Sequence, residues 1–241
     1  VIISHRHRLI FIRAPKTAGS SIEAFLTPRL GYSDILIGGP LHISEPWNSE
    51  LSMRRGLRML SALLGDIIMS EHDDPADVRD FIQRILELAD SWQDVWKRYH
   101  KWAVVRNPWD LAVSYYWHCR KNEHEAAGDQ DKPLLSSAIE DFRDWLHCET
   151  RQYCQWFHDH ERMYFDENGA PVLDQYLRFE ALATEMAALC EGLGIVYEPL
   201  PRLRSDIRLL RDPYPVYYNV ESQDLVAKIH RNTIRTFGYD F

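Results

Sequence analysis

Cysteine is scarce in this chain. Cys119, Cys148, Cys154 and Cys190 form no CxxC pair and are too few to staple 241 residues. A disulfide framework is therefore excluded as the source of stability, and a reducing compartment is expected. An excess of positive charge is also missing. With 28 Lys and Arg against 36 Asp and Glu, the formal charge is −8. That balance argues against a general binder of nucleic acid or of anionic membranes, which must neutralise many phosphates, and leaves room only for a local basic pocket. No apolar run approaches the roughly 18 residues of a membrane span, and no secretory leader is visible. The expectation is a cytoplasmic protein with no nucleic-acid partner and no membrane contact in the visible chain. The chain starts at Val1 rather than Met, so an upstream anchor removed from it stays open. Internal repeats and low-complexity tracts are lacking too. The hydrophobic share of 45% suffices for one full-sized core, and a single domain over residues 1–241 is the default.

Among what is present, the stretch Leu9 to Leu26, LIFIRAPKTAGSSIEAFL, is the most informative. The apolar run Leu9 to Ile12 stops at Arg13-Ala14-Pro15. After Lys16-Thr17-Ala18-Gly19, the pair Ser20-Ser21 opens a segment with helical apolar spacing at Ile22, Phe25 and Leu26. Strand, loop and helix follow in that order. A helix that begins straight after a glycine-containing turn offers unpaired N–H groups and the positive end of its dipole to the loop. With Lys16 and three hydroxyls added, the natural occupant is an anion.

The same pattern recurs further along. Lys101 to Arg106 reads as a strand that stops at Asn107-Pro108, where Asn caps, Pro opens a helix and Asp110 falls in its first turn. Two other strands are expected, Ile67 to Met69 and Val172 to Phe179. Helices are expected from Ser49 to Leu64, from the capping Asp74 through Leu88, from Trp92 to Tyr99, from Glu180 to Leu193 and from Ser222 to Thr236. Gly31 to Pro46 and Lys121 to Pro133 read as irregular connections. Strands alternating with helices imply an α/β fold: a mostly parallel central sheet flanked by helices, with a P-loop-like phosphate-binding loop after the first strand. Ligands collect at the carboxyl ends of such strands, which would bring Lys16, His72 and Arg106 to one edge.

Pro15-Lys16-Thr17-Ala18-Gly19-Ser20-Ser21 and Val105-Arg106-Asn107-Pro108-Trp109-Asp110 through Ser114-Tyr115-Tyr116 resemble the two signature motifs of sulfotransferases that use 3'-phosphoadenosine 5'-phosphosulfate (PAPS). Tyr176-Leu177-Arg178-Phe179-Glu180 and Phe237-Gly238-Tyr239 are similar to the "RFE" strand end and the terminal FGY of the carbohydrate-type branch. The resemblance implies that Lys16, Thr17, Ala18, Gly19, Ser20 and Ser21 hold the 5'-phosphosulfate, and that Arg106 and Ser114 hold the 3'-phosphate. Lys16 would stabilise charge on the bridging oxygen as the sulfuryl group leaves. No metal is required, and the acceptor would be a hydroxyl of a carbohydrate or small molecule. Two departures stand out: Ala18 where a second glycine is frequent, and Leu111 where an Arg often follows the Asp.

The acceptor hydroxyl needs a general base. His72 is the first choice on the family likeness of His72-Asp73-Asp74-Pro75-Ala76-Asp77-Val78-Arg79, and its ordinary pKa suits the task. His42 is second, with Glu45 and Glu71 as carboxylate alternatives. Plainer readings exist for each residue. Lys16 can be a surface lysine in a turn, Arg106 a partner of Asp110, Ser114 a small helix residue and His72 a solvated loop histidine. Glu180 reads as a brace for the helix it begins. His147, Cys148, Cys154, His158 and His160 fit no common zinc spacing. The aromatic segment around them reads as packing, with a stacking role for Trp145 or Trp156 as the sharper alternative. Arg202, Arg204 and Arg211 suit either closure over a nucleotide or a solvated face.

Two rival functions remain. A P-loop kinase or other phosphotransferase shares the strand, loop and helix, but its motif GxxxxGK[ST] places Lys after the second Gly, whereas Lys16 precedes Gly19. A non-catalytic nucleotide-binding module would keep the fold and lack the transfer.

Overall fold

The computed structural model describes residues 1–31, 34–36, 75–127, 135–148, 152–203 and 208–241. The expected helix over 49–64, the expected strand over 67–69, the end of the 121–133 connection, and His42, Glu45, Glu71, His72 and Arg204 lie outside the described residues.

The chain groups into two compact units. The first comprises Val1–Arg13, Leu26–Ala103 and Arg162–Tyr176. It holds β1 (Ile2–Ser4), β2 (Leu9–Ile12), β3 (Ile35–Leu36) and the starts of β4 (His100–Val105) and β5 (Gln175–Arg178), in the order β3-β1-β2-β4-β5. β2 runs parallel to β4, with Leu9 opposite His100 and Ile12 opposite Ala103, while β1 runs antiparallel to both β2 and β3. The sheet is therefore mixed, which corrects the expectation of a mostly parallel one. The reason is local. Four residues, His5 to Arg8, join β1 to β2, and so short a link can only return the chain antiparallel. Arg8 takes a left-handed φ of 51° in that turn, and the Asp34 carboxylate accepts from Ser4 Oγ (2.7 Å) and from the N–H of His5 (2.7 Å) and Arg6 (3.1 Å).

Every residue of β2 is buried, as befits a strand covered on both faces. Phe11 packs on Trp102 with ring centroids 4.4 Å apart. The pieces expected at 74–88 and 92–99 form one helix, α2 (Pro75–Arg98). Ile85, Leu88, Ala89, Trp92 and Val95 make an unbroken buried stripe at helical spacing, so no break is called for. Lys101 closes its end, donating from Nζ to the carbonyls of Trp96 and Tyr99 at 3.0 Å each and pairing with Asp174 at 2.7 Å.

The second unit comprises Ala14–Phe25, Val104–Glu161 and Leu177–Phe241. It is mostly helical: α1 (Gly19–Leu26), α3 (Pro108–Ala127), α4 (Leu135–Leu146), α5 (Gln152–His158), α6 (Leu182–Gly192), α7 (Val220–Ile229) and α8 (Arg231–Phe237). Helix α3 starts as its sequence predicts, with Asn107 Oδ1 accepting from Trp109 N (3.0 Å) and Asp110 N (3.3 Å). It continues into the segment expected to be a loop. The closing helix expected over 222–236 is two helices that break at His230. A capping box between Asn219 and Ser222 starts α7, and Gly238, at φ 63°, ends α8.

The core of this unit is aromatic. Tyr115, Tyr116, Trp117, Phe142, Trp145, Phe157 and Tyr217 are all at most 1% exposed, and Phe142 alone has ring contacts with Tyr116, Trp145, Tyr217 and Tyr218. That burial assigns Trp145 to packing rather than to stacking on a ligand.

Candidate functional site

Beyond the end of β2 the chain turns through residues 14–18 before α1 opens at Gly19. Lys16 and Ala18 both adopt left-handed backbone, with φ of 65° and 61°, on either side of Thr17. Such a conformation costs a residue with a β-carbon about 1–2 kcal/mol, so the loop needs fastening. Thr17 supplies part of it: its side chain is fully buried and its Oγ1 donates to the carbonyl of Ala14 at 2.9 Å. The Ala18 carbonyl supplies more, accepting from the N–H of Ser21 (2.9 Å) and Ile22 (3.1 Å) to start the helix. Alternation of left- and right-handed residues turns successive N–H groups towards one side. The N–H groups of Thr17, Ala18 and Gly19 have no partner among the described residues. Ser20 is half-buried in the first turn of α1, and the buried Ser21 accepts at Oγ from the N–H of Leu203 at 3.3 Å.

The second motif supplies the strongest fastening. Arg106, just past β4, donates from Nη1 to the carbonyl of Lys16 at 2.8 Å, a link across 90 residues of sequence. From Nε and Nη2 it grips Asp110 Oδ2 at 2.8 and 2.6 Å, and its guanidinium carbon lies 4.1 Å from the centroid of the Phe179 ring. The plainer reading of Arg106, a partner of Asp110, is what the geometry shows, and the same side chain also reaches the backbone of the Lys16 loop. Its side chain keeps 12% exposure, and three of its five N–H groups are engaged among the described residues. Ser114 lies one turn beyond Asp110 on α3, half-buried.

Asp110 has a second partner that the sequence did not suggest. Arg208 approaches its other oxygen, Oδ1, at 3.3 Å, and donates from Nη2 to the carbonyl of Asp212. Leu111, standing where the resembled family often has Arg, is buried at 1% exposure. The guanidinium facing Asp110 comes instead from the C-terminal segment. The signal for it was the Arg-rich run from Arg202 to Arg211, but nothing in that run singled out Arg208. Arg202 and Arg211 are exposed.

An open cleft of about 570 Å³ lies alongside, lined by Asn107, Asp110, Glu180, Arg208, Arg211 and Tyr214 among others. Burial raises the Tyr214 phenol above its ordinary pKa, against a hydrogen bond from Asn107 that lowers it. Glu180 works as a brace. Its Oε1 accepts from Asn107 N at 2.7 Å and its Oε2 from Tyr239 OH at 3.1 Å, tying the start of α3 to the residues after α8.

Further along, the His- and Cys-containing segment has structural partners. Cys154 Sγ donates to the Trp145 carbonyl at 3.2 Å, His158 Nε2 lies 3.2 Å from the Leu146 carbonyl, and His160 Nδ1 lies 2.9 Å from Tyr115 OH. Among the described residues no three His, Cys, Asp or Glu side chains gather as a metal site would need. No described helix is long and apolar enough to cross a membrane.

Of the residues expected at the site, Lys16, Thr17, Ala18, Gly19, Ser20, Ser21, Arg106 and Ser114 all belong to the second unit, and the Lys16–Arg106 hydrogen bond joins the two motifs. The base candidates His72 and His42 lie outside the described residues. The sequence matches no protein-family model, and no curated protein or solved structure matches it at a significant level.

Proposed function

We propose that the chain is a PAPS-dependent sulfotransferase, with the 5'-phosphosulfate in the loop Lys16 to Ser21. The observation that carries this reading is the hydrogen bond from Arg106 to the Lys16 carbonyl at 2.8 Å. It brings together two motifs that the resemblance assigns to the two phosphate-bearing ends of one nucleotide. The N–H groups of Thr17, Ala18 and Gly19, unpartnered among the described residues and next to a cationic Lys16, suit a phosphate-type anion at a helix start. Lys16 ahead of the glycine supports sulfuryl over phosphoryl transfer, because a Walker-type lysine follows it.

In the proposed reaction the acceptor hydroxyl oxygen forms a bond to sulfur as the bond from sulfur to the bridging phosphate oxygen breaks in line. The departing product is 3'-phosphoadenosine 5'-phosphate, and the charge growing on its oxygen is what Lys16 stabilises. The hydroxyl proton passes to a base, for which His72 is the first candidate and His42 the second. Acceptors are hydroxyl groups of carbohydrates or small molecules. The net charge of −8 favours a less anionic acceptor over a long polyanionic glycan.

Thermal unfolding with 3'-phosphoadenosine 5'-phosphate, with magnesium-ATP and with neither tests the donor half. Stabilisation by the first alone is expected; stabilisation by magnesium-ATP alone would overturn the reading in favour of a phosphotransferase. Transfer of labelled sulfate from PAPS to a hydroxyl acceptor panel tests the other half. Binding without transfer to any acceptor would favour the non-catalytic module.

A further inference from the structure

We infer that Arg208 is a positioning residue for the anion loop, acting through Asp110 and Arg106. This rests on the reading of Lys16 to Ser21 as an anion cradle. The relay is continuous: Arg208 Nη1 to Asp110 Oδ1 at 3.3 Å, Asp110 Oδ2 to Arg106 Nε and Nη2 at 2.8 and 2.6 Å, and Arg106 Nη1 to the Lys16 carbonyl at 2.8 Å. One carboxylate spends one oxygen on each guanidinium. If Arg208 is removed, Asp110 loses the partner on its Oδ1 side and is held only through Oδ2 by Arg106. The fork that aims Arg106 at the loop then loses its fixed acceptor.

Asp110 has a second consequence for an anionic ligand. Alone, its charge beside the loop would repel phosphate oxygens. With two guanidinium groups on it, the three side chains carry a net positive charge, so the same residue that orients Arg106 no longer opposes the anion. Arg208 is itself held from two sides, by its bond to the Asp212 carbonyl and by the Tyr217 ring, whose centroid is 5.6 Å from its guanidinium carbon. Its Nε is buried without a hydrogen-bond partner among the described residues, so its geometry is set by the Asp110 and Asp212 contacts. The C-terminal segment thereby sets the conformation of a loop close to 200 residues earlier, through the Asp110 carboxylate and the Arg106 guanidinium.

A double-mutant cycle on the full chain tests this, with Arg208→Gln, Asp110→Asn and the pair. Two readouts are taken: amide hydrogen exchange over residues 16–20 in ligand-free protein, and the affinity for 3'-phosphoadenosine 5'-phosphate by calorimetry. Arg208→Gln is expected to speed exchange in the loop several-fold and to weaken nucleotide binding by about tenfold. In the Asp110→Asn background it should add little to either. Arg208→Lys, which keeps the charge but cannot reach Asp110 and the Asp212 carbonyl together, should restore only part of both. It also carries the test if Arg208→Gln fails to fold. Equal effects of Arg208→Gln with and without Asp110 would overturn the relay, because Arg208 would then act on the ligand or on the loop by another route. The exchange readout needs no nucleotide. Wild-type protein that binds no nucleotide but shows the non-additive exchange pattern would refute the donor reading and leave the relay standing.

Discussion

Phe179 covers one face of the Arg106 guanidinium, its ring centroid 4.1 Å from the guanidinium carbon. The group is thus held over a ring while its N–H groups donate to Asp110 and to the Lys16 carbonyl. Lysine can supply the charge but neither the plane nor the fork. Arg106→Lys is therefore expected to weaken binding of 3'-phosphoadenosine 5'-phosphate by about 10- to 100-fold, which matches the roughly 1.5–3 kcal/mol of one charge-assisted hydrogen bond. Calorimetry checks this. An unchanged affinity would mean that the contact with the loop carbonyl plays no part in ligand binding.

The two motifs were legible because each is local. A strand, a turn residue, a cap and a proline follow one another within ten residues at Ile12 to Ser21 and at Val105 to Asp110. Their meeting at one edge follows from the parallel pairing of β2 with β4, which puts both strand ends on the same side. The antiparallel half of the sheet was not legible. Ile2–Ser4 and Ile35–Leu36 are too short to show a period; the first becomes a strand by pairing with β2 and the second by pairing with the first. Arg208 was hidden for a different reason. Its partner lies 98 residues away, and nothing near it in sequence separates it from its neighbouring arginines.

Ala18 offers a test of the loop backbone in which the usual sign reverses. Alanine to glycine in a helix interior costs about 1 kcal/mol, and Ala24, exposed in α1, should behave so. Ala18 has φ 61°, where the β-carbon itself is the problem. Relief of about 1–2 kcal/mol of local strain outweighs the greater freedom that glycine gives the unfolded chain, about 0.4–1 kcal/mol. Ala18→Gly should raise the urea midpoint with an unchanged slope while Ala24→Gly lowers it. A drop for both would show that the loop stores no such strain.

Thr17 separates a fastening role from a ligand contact. Its buried hydroxyl donates to the Ala14 carbonyl, so its only proton is already committed. Thr17→Ser keeps that bond and should leave stability and nucleotide affinity within about twofold of wild type. Thr17→Val keeps the shape and leaves the Ala14 carbonyl short of a donor, costing about 1–3 kcal/mol in denaturant unfolding. If Thr17→Val unfolds like wild type but binds nucleotide far more weakly, the hydroxyl is a ligand contact and the fastening argument is wrong.

His230 makes the second unit sensitive to acid, and the sign can be worked out. It sits at the break between α7 and α8, and its Nε2 donates to the Phe157 carbonyl at 3.1 Å, which leaves its fully buried Nδ1 as an acceptor without a partner among the described residues. Burial pushes its pKa down to about 3, against the Phe157 bond that raises it, with His158 lowering it further. His160, lowered by burial and by His230, lies 6.0 Å away ring to ring. Both imidazoles are neutral when folded and protonate near their ordinary pKa of about 6.5 when unfolded. The contribution of His230 is therefore complete above that pH and is lost as pH falls from about 6.5 towards 3, and that of His160 is lost in the same direction. Glu161 acts the other way. Burial raises its carboxyl pKa against the bonds it accepts from Thr233 and Asn232, so Glu161 favours folding at lower pH and offsets part of the loss. In His230→Gln the amide can still donate to the Phe157 carbonyl but takes up no proton. Denaturant midpoints between pH 4 and pH 6 should then fall less steeply, by about one proton's worth of slope. An identical slope in variant and wild type would mean that His230 does not titrate on unfolding, and that the acid sensitivity belongs to other groups.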